Sequence, residues 1–414
     1  SVTVKEDFKN YVYEWQSKDH KIYDQRIQLD YSLTYQSDDR FDYRPVYAQI
    51  DQSLMVTDFD SQTVWETQQI TDTKTITRTV VGEEDLSGIS ANFSVDSIKG
   101  MNITVNAGGK SNVSGLLNAT NNLTIESAGD LTVAGILLND ATFASQAKLV
   151  AGNALNLQTE NKLVLADSAL LSAATIVMNV DASMTLQGKV GTESSEGISN
   201  TLSVAATAGG DITLNAVVIA DNLITLEAGQ STSKDGGISA GLAANLVTTE
   251  DASQIQLTAG VYGGHISLDQ SALTAGGALS TVTISAVEGR FEQTQGVITA
   301  HKLSVTADNA LTANTHVNTI DLTLLGSGDI ALVNQGSLTL NRVTAADGAI
   351  SINNWGALTV TNVQAIGTSD RNDINLTTFD TNSDAAVNAD INIAILKTTE
   401  RGDISIEAQG IVSR

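Results

Sequence analysis

The tripeptide Arg401-Gly402-Asp403 pairs a guanidinium with a carboxylate across one glycine, a combination that integrin receptors read in extracellular ligands. The alternative is that the tripeptide belongs to a repeated pattern in which Gly-Asp precedes an apolar residue. Only the last copy follows an arginine, so the sequence favours a structural role for Gly-Asp, with Arg401 incidental. The four copies are Gly129-Asp130-Leu131, Gly210-Asp211-Ile212, Gly328-Asp329-Ile330 and Gly402-Asp403-Ile404.

A second group of chemical interest is a cluster of carboxylates between residues 370 and 390. Asp370, Asp373, Asp380 and Asp384 could supply the oxygen ligands that Ca²⁺ prefers in proteins. Neither an EF-hand loop nor the Gly-Asp nonapeptide of calcium-binding β-rolls accompanies them. Ca²⁺ is therefore the one cofactor that the sequence suggests, and a solvated acidic loop is the alternative.

Catalytic patterns are not evident. His265, His301 and His316 are far apart in sequence, and no Ser/His/Asp spacing, phosphate-binding loop or HExxH motif occurs. The sequence therefore predicts no catalytic residues. A polysaccharide lyase or hydrolase stays open as an alternative, because such enzymes can place carboxylates on adjacent strands of a β-helix.

Composition limits the classes of partner. The formal net charge of −25 disfavours binding to nucleic acid and to anionic lipid, and no apolar run is long enough to span a membrane as a helix. The chain has no cysteine, which excludes disulfides and thiolate metal sites. We expect no nucleic-acid partner and no membrane insertion.

The N-terminal part of the chain, residues 1–85, differs from the rest. It contains 12 of the 18 aromatic residues, all before residue 66. Residues 26–35 alternate between apolar and polar side chains, and residues 74–81 form a second strand-like segment. The sequence predicts an aromatic-rich β module over residues 1–85 that acts as a cap, linker or docking element.

From residue 86 to 414 the sequence repeats a triplet in which two apolar residues flank a polar one. Leu338-Thr-Leu-Asn-Arg-Val343 returns as Leu358-Thr-Val-Thr-Asn-Val363, so position 338 corresponds to position 358. Two or three short strands per ~20 residues are typical of a parallel β-solenoid, in which each triplet buries its outer two side chains. Two intervals, residues 188–200 and 229–250, are predicted as long loops of the kind that carry binding functions or tolerated insertions.

The segments "GDLTVAG", "GDITLNA", "ITLEAG" and "GSLTLNRV" resemble the repeats of filamentous-haemagglutinin-type exoproteins. That family consists of large bacterial surface adhesins with right-handed parallel β-helical shafts. The resemblance covers residues 86–414 and lies in the style of the repeat. It implies an all-β chain that is extracellular or held at the cell surface.

These observations together predict a secreted adhesin or structural shaft that makes multivalent, non-catalytic contacts. The expected partners are a surface glycan or a receptor on a host or neighbouring cell. The alternative is a protomer of an extracellular filament or matrix that associates end to end through its N-terminal strands.

Overall fold

The computed structural model describes residues 2–5, 49–51, 75–78, 90–138, 142–191, 201–230, 236–260, 262–269, 271–380, 389–399 and 401–413. In these ranges all regular secondary structure is β-strand, and no helix is present, so the all-β prediction is confirmed. None of the described residues therefore forms a helix that could cross a membrane. Contacts within the chain divide it into two compact units, Ser1–Thr201 and Leu202–Arg414.

The first unit contains fifteen described strands. They are β1 (Val2–Lys5), β2 (Gln49–Asp51), β3 (Thr75–Arg78), β4 (Ser90–Ala107), β5 (Lys110–Ser127), β6 (Leu131–Val133), β7 (Ile136–Leu138), β8 (Thr142–Ser145), β9 (Ala147–Ala151), β10 (Ala154–Thr159), β11 (Leu163–Leu165), β12 (Ala169–Ser172), β13 (Thr175–Val180), β14 (Met184–Leu186) and β15 (Lys189–Val190).

The second unit contains twenty-three described strands. They are β16 (Ser203–Ala208), β17 (Ile212–Leu214), β18 (Val217–Ala220), β19 (Leu223–Glu227), β20 (Ile238–Ala240), β21 (Asn245–Thr248), β22 (Gln254–Thr258), β23 (Ile266–Leu268), β24 (Ala272–Ala275), β25 (Thr281–Ala286), β26 (Phe291–Gln293), β27 (Ile298–Ala307), β28 (Leu311–Ser327), β29 (Ile330–Gln335), β30 (Leu338–Asp347), β31 (Ile350–Trp355), β32 (Leu358–Val360), β33 (Val363–Ala365), β34 (Ile374–Phe379), β35 (Ile391–Ile393), β36 (Leu396–Lys397), β37 (Ile404–Ala408) and β38 (Val412–Ser413).

Pairing in the second unit is parallel and mostly skips two strands. β17 pairs with β20, β18 with β21 and β19 with β22, so three ladders advance together along the sequence. The predicted correspondence is confirmed where Leu338 pairs with Leu358 and Val343 with Val363. Elsewhere the interval is shorter, as between Thr306 and Thr323, or longer, as between Val363 and Leu396. The connections between strands therefore differ in length while the ladders keep their register.

The first unit has the same parallel pairing. β10 lies between β5 and β13, and β11 lies between β6 and β14. At the other end of this unit, β1 runs antiparallel to both β3 and β4, and β2 runs parallel to β4. A separate antiparallel pair joins β7 to β8.

The triplets bury their outer residues as expected. In β6, β11 and β17 the first and third side chains are buried and the middle one is half-buried. Successive side chains of a strand point to opposite faces, and parallel pairing then stacks equivalent residues into continuous apolar rows. Phe291 is the bulkiest of the fully buried side chains, among many leucines and isoleucines.

These strands correct one sequence prediction, confirm a second and leave two others open. The predicted loop at residues 229–250 is wrong in part, because β20 and β21 lie within it and join the ladders. Its triplet Ile238-Ser239-Ala240 ends in a small alanine, which a search for large apolar pairs overlooks. The predicted strand at 74–81 is confirmed as β3. The predicted strand at 26–35 lies outside the described residues, and the boundary at residue 85 stays a prediction.

Candidate functional site

The Arg-Gly-Asp tripeptide lies immediately before β37, and each of its residues contacts the segment that precedes β34. The Arg401 guanidinium lies 3.4 Å from the Asp370 carboxylate, and both side chains are mostly exposed. A Cβ on Gly402 would collide with the carbonyl oxygen of Asn372. The amide of Asp403 donates to Asp373 Oδ1 at 2.8 Å. Gly402 and the backbone of Asp403 are therefore part of the strand stacking, whereas Arg401 contributes an exposed ion pair.

The same aspartate contact recurs along this ladder. The carboxylate of Asp211, just before β17, accepts the amide of Gly237 at 2.9 Å, and that of Asp329, just before β29, accepts the amide of Ala349 at 2.9 Å. His265, just before β23, has the same role, since its Nδ1 accepts the amide of Arg290 at 3.1 Å. A side-chain acceptor before a strand therefore binds the amide that precedes the next strand of the ladder.

The structure separates the candidate calcium ligands into different contacts. Asp370 pairs with Arg401 and Asp373 accepts the Asp403 amide, while the backbone amide of Asp380 donates to Gln409 Oε1 at 2.6 Å. Asp384 lies outside the described residues. No group of three or more His, Cys, Asp or Glu in the described ranges is arranged to hold a metal ion. The Ca²⁺ hypothesis stays a prediction.

The histidines are not brought together in the second unit. His265 precedes β23, whereas His301 and His316 lie in β27 and β28, and the backbone amide of His301 donates to Ser280 Oγ at 3.1 Å. Thr299, not His301, is the residue that pairs with His316 across those two strands.

An open groove of about 380 Å³ lies on the outer face of β27, β28 and β30. We call it the β27–β30 groove. Three hydroxyls, a carboxylate, an amide and a guanidinium provide its polar lining: Ser304, Thr306, Asp321, Thr323, Asn341 and Arg342. Pairing places Ser304 beside Asp321 and Asp321 beside Arg342, so the groove crosses three neighbouring strands.

A β-bulge shapes this groove. Ile320 pairs with Leu340 but Asp321 pairs with Arg342, so Asn341 is an extra residue in β30. Asn341 and Arg342 are both exposed, which breaks the alternation of inward and outward side chains. A bulge redirects side chains in this way. It lets an amide and a guanidinium project together from one strand.

The charges of the groove form a defined network. Lys302 Nζ lies 2.6 Å from Asp321 Oδ2, and Asn341 Nδ2 donates to Asp321 Oδ1 at 2.7 Å. Partial burial raises the pKa of the Asp321 carboxyl, but the hydrogen bonds from Lys302 and Asn341, with the positive charge of Lys302 and Arg342, leave the pKa below its usual value. Asp321 is therefore ionised at neutral pH, with both oxygens engaged.

Arg342 is paired less completely. Its Nη2 donates to Thr323 Oγ1 at 3.3 Å, and none of the described carboxylates forms an ion pair with it. A guanidinium has five N–H donors, so most of the donors of Arg342 remain for a ligand. The groove thus offers a cation and several hydroxyls on a chain whose net charge is strongly negative.

Sequence reasoning missed both this groove and an aromatic pair. Trp355 and Phe379 pair across β31 and β34, and their rings stack with centroids 4.7 Å apart. Trp355 is 42% exposed, in a region that otherwise has few aromatic residues. Both rings follow a triplet of the repeat, at 350–352 and 374–376, and this shared position was the available signal for the pair. For the groove, the short spacing between the apolar residues Leu340 and Val343 indicates the bulge, but not which strands adjoin it.

Comparison with protein-family models, curated proteins and solved structures found no significant match.

Proposed function

We propose that this chain is a right-handed parallel β-solenoid that acts outside the cell, as a secreted or surface-held adhesin or structural shaft with multivalent, non-catalytic contacts. The fold and the extracellular setting follow the exoprotein repeats that the sequence resembles. Three parallel ladders that advance together along the second unit support the solenoid winding.

One observation carries the proposal: a continuous outward row of polar side chains. Consecutive parallel pairs place nine polar residues in one row, which we call the outer row. Apolar residues one position earlier in most of these strands, such as Leu226, Leu257 and Ile284, are buried beneath it. The outer row comprises Thr207, Glu227, Thr258, Ser285, Thr306, Thr323, Thr344, Gln364 and Lys397.

Such a row suits binding by many weak contacts. Neighbouring strands lie about 4.8 Å apart, so hydroxyl and amide groups repeat along the row at that spacing. A polymer with regularly spaced hydroxyls can therefore form several contacts with the row. Each contact is weak, but linked contacts raise the overall affinity without any single strong site. The net charge of −25 keeps such chains soluble and repels dense polyanions.

The test is retention of the purified chain on a panel of immobilised polysaccharides and cell surfaces, in Ca²⁺ and in EDTA. Saturable retention on a glycan or a cell-surface receptor, with glycan length unchanged, supports the proposal. Shortening of the glycan chains would favour a β-helical polysaccharide lyase or hydrolase. The EDTA arm also tests whether the Asp370 cluster contributes through Ca²⁺.

A second candidate is a protomer of an extracellular filament or matrix. The observation that favours it is the pairing of β1 and β2 with β4, because it supports the idea that N-terminal strands can cover an edge of the parallel strands. An exposed edge carries unpaired N–H and C=O groups and needs a cap or a partner. Concentration-dependent filaments that vanish when residues 1–85 are deleted would support this candidate, and a strictly monomeric chain would exclude it.

A further inference from the structure

The β27–β30 groove has the size of a single-ligand site. Its volume of about 380 Å³ is near the lower end of the range for small-molecule pockets, which runs from ~300 to ~1,000 Å³. A ligand there would contact three neighbouring strands at once. Because β27 and β28 pair through nine registered positions, the lining side chains stand on a rigid support.

The carboxylate and the guanidinium of the groove differ in how many hydrogen-bond partners they already have. Asp321 already accepts on both oxygens, from Lys302 and from Asn341, so a ligand would share this carboxylate with them. Arg342 is exposed and bonded only to a hydroxyl among the described residues. A guanidinium binds a carboxylate through two parallel N–H···O bonds, which are stronger and more directional than neutral hydrogen bonds. The geometry of the groove therefore favours a ligand that brings its own carboxylate.

The remainder of the lining favours hydroxyls on the ligand. Ser304, Thr306 and Thr323 each present a hydroxyl that can donate and accept. A sugar ring carries hydroxyls at similar spacing, and a sugar acid adds one carboxylate. Dense polyanions such as sulfated chains are disfavoured by the overall charge of −25, whereas a single carboxylate is not.

We propose that the β27–β30 groove binds a carboxylate-bearing sugar residue of the uronic-acid class, with Arg342 holding the carboxylate and the hydroxyls of Ser304, Thr306 and Thr323 contacting the ring. This inference rests on the proposed function, since it assigns one glycan subsite on the shaft. It makes Arg342 the residue that distinguishes acidic from neutral sugars.

The test uses the full chain and three small probes, D-glucuronate, D-glucose and acetate, with binding followed by ligand-observed NMR titration. Glucuronate and glucose differ only at C6, which is a carboxylate in the first and a hydroxymethyl group in the second, and acetate carries the carboxylate without the ring. We expect glucuronate to bind with a dissociation constant on the order of 1 mM, and glucose and acetate at least tenfold more weakly.

Two variants locate the site. Arg342→Gln is expected to weaken glucuronate binding at least tenfold, whereas Arg371→Gln, at an exposed arginine outside the groove, is expected to leave it unchanged. Arg342→Lys keeps the charge but loses the forked geometry, and its affinity for glucuronate is expected to lie between those of the other two variants. Equal melting temperatures establish that the variants are folded.

Equal binding of glucuronate and glucose, equal binding of glucuronate and acetate, or undiminished binding by Arg342→Gln would overturn the subsite. So would the failure of glucuronate to bind the parent chain. If the parent and Arg342→Gln are both retained on glycan surfaces in those cases, the shaft proposal stands while the subsite falls. If the parent is not retained on any surface, the adhesive function itself fails.

Discussion

The side-chain amide of Asn334 donates to the side-chain oxygen of Asn354 at 2.9 Å, and both side chains are fully buried. Asn334 Oδ1 also accepts from Thr315 Oγ1 at 2.8 Å and from the Val317 amide at 3.0 Å. Three successive strands of one ladder, β28, β29 and β31, are thus joined inside the core by side chains as well as by backbone. A buried polar network stabilises a fold only when its members are satisfied.

Replacing Asn334 by alanine should therefore destabilise the second unit. The substitution leaves the Val317 amide without its side-chain acceptor and removes the donor to the Asn354 side-chain oxygen, at a cost of about 1–3 kcal/mol in the free energy of unfolding. Urea denaturation measures the loss. The matched control is Asn353→Ala at a half-buried outward position, and an equal loss in both variants would contradict the role of the buried network.

The alternation of inward and outward side chains predicts opposite results for two adjacent residues. Leu332 is 1% exposed and Val333 is 37% exposed. Leu332→Ala should cost about 2–5 kcal/mol, because it removes buried methyl groups and leaves a cavity. Val333→Ala should change stability by less than about 1 kcal/mol. Similar losses in the two urea titrations would mean that β29 does not present these faces as described.

Acid should remove the contribution of two carboxylates. The ion pair and hydrogen bonds of Asp321 lower its pKa despite partial burial, and the Ser369 hydroxyl, 2.6 Å from Asp347, is the largest influence lowering the pKa of that carboxyl. Each folded-state pKa lies below the usual value of 3.8. These groups therefore stabilise the fold above pH ~4, and the stabilisation is lost as pH falls through the folded pKa values.

Asp321→Asn isolates one of these contributions. We expect it to lower stability modestly at pH 7, by less than about 1 kcal/mol because the pair is near the surface, and to have a smaller effect at pH 2. Urea titrations of parent and variant at both pH values measure the difference. A difference that persists unchanged at pH 2 would show that the carboxylate charge is not the cause.

The Arg-Gly-Asp tripeptide should matter for structure rather than for attachment to integrin-bearing cells. Gly402→Ala should destabilise the last strands by more than ~1 kcal/mol, because its Cβ would collide with the Asn372 carbonyl. Arg401→Ala removes only an exposed ion pair and should cost less than ~1 kcal/mol. Cell attachment should be equal for the parent and Arg401→Ala, and a loss of attachment in that variant would support receptor recognition.

The repeat itself could be predicted from the sequence because its signal is local. The residues around Leu338 and Leu358 share one sequence pattern, which indicates that these two leucines pair. Triplets such as Leu131-Thr132-Val133 show which side chains point inward. The groove could not, because it depends on which side chains from three separate strands become neighbours. Asp321 and Arg342 are adjacent only because the connection between their strands and the bulge at Asn341 set that register.

The acidic cluster illustrates the same limit. Asp370 and Asp373 are close in sequence, which suggested a shared metal ion, yet their partners, Arg401 and the Asp403 amide, come from the segment before β37, much later in the chain. Because the connections between strands differ in length, a fixed sequence period does not identify such neighbouring residues. For the stacked pair Trp355 and Phe379, the signal was instead the position that both rings share after a triplet of the repeat.

The central claim is that successive strands of the second unit stack in register, so that the outer row is continuous. Nitroxide labels on paired cysteine substitutions test it directly by pulsed electron paramagnetic resonance, and the chain has no native cysteine to interfere. Ser285 and Gln364 are four ladder steps apart, and Glu227 and Gln364 are six.

With about 4.8 Å per step, we expect about 19 Å for Ser285→Cys with Gln364→Cys and about 29 Å for Glu227→Cys with Gln364→Cys. The increase of about 10 Å for two further strands is the decisive quantity, because label length affects both pairs alike. Distances that fail to increase in this way, or broad distributions for both pairs, would contradict the stacked register and with it the multivalent surface.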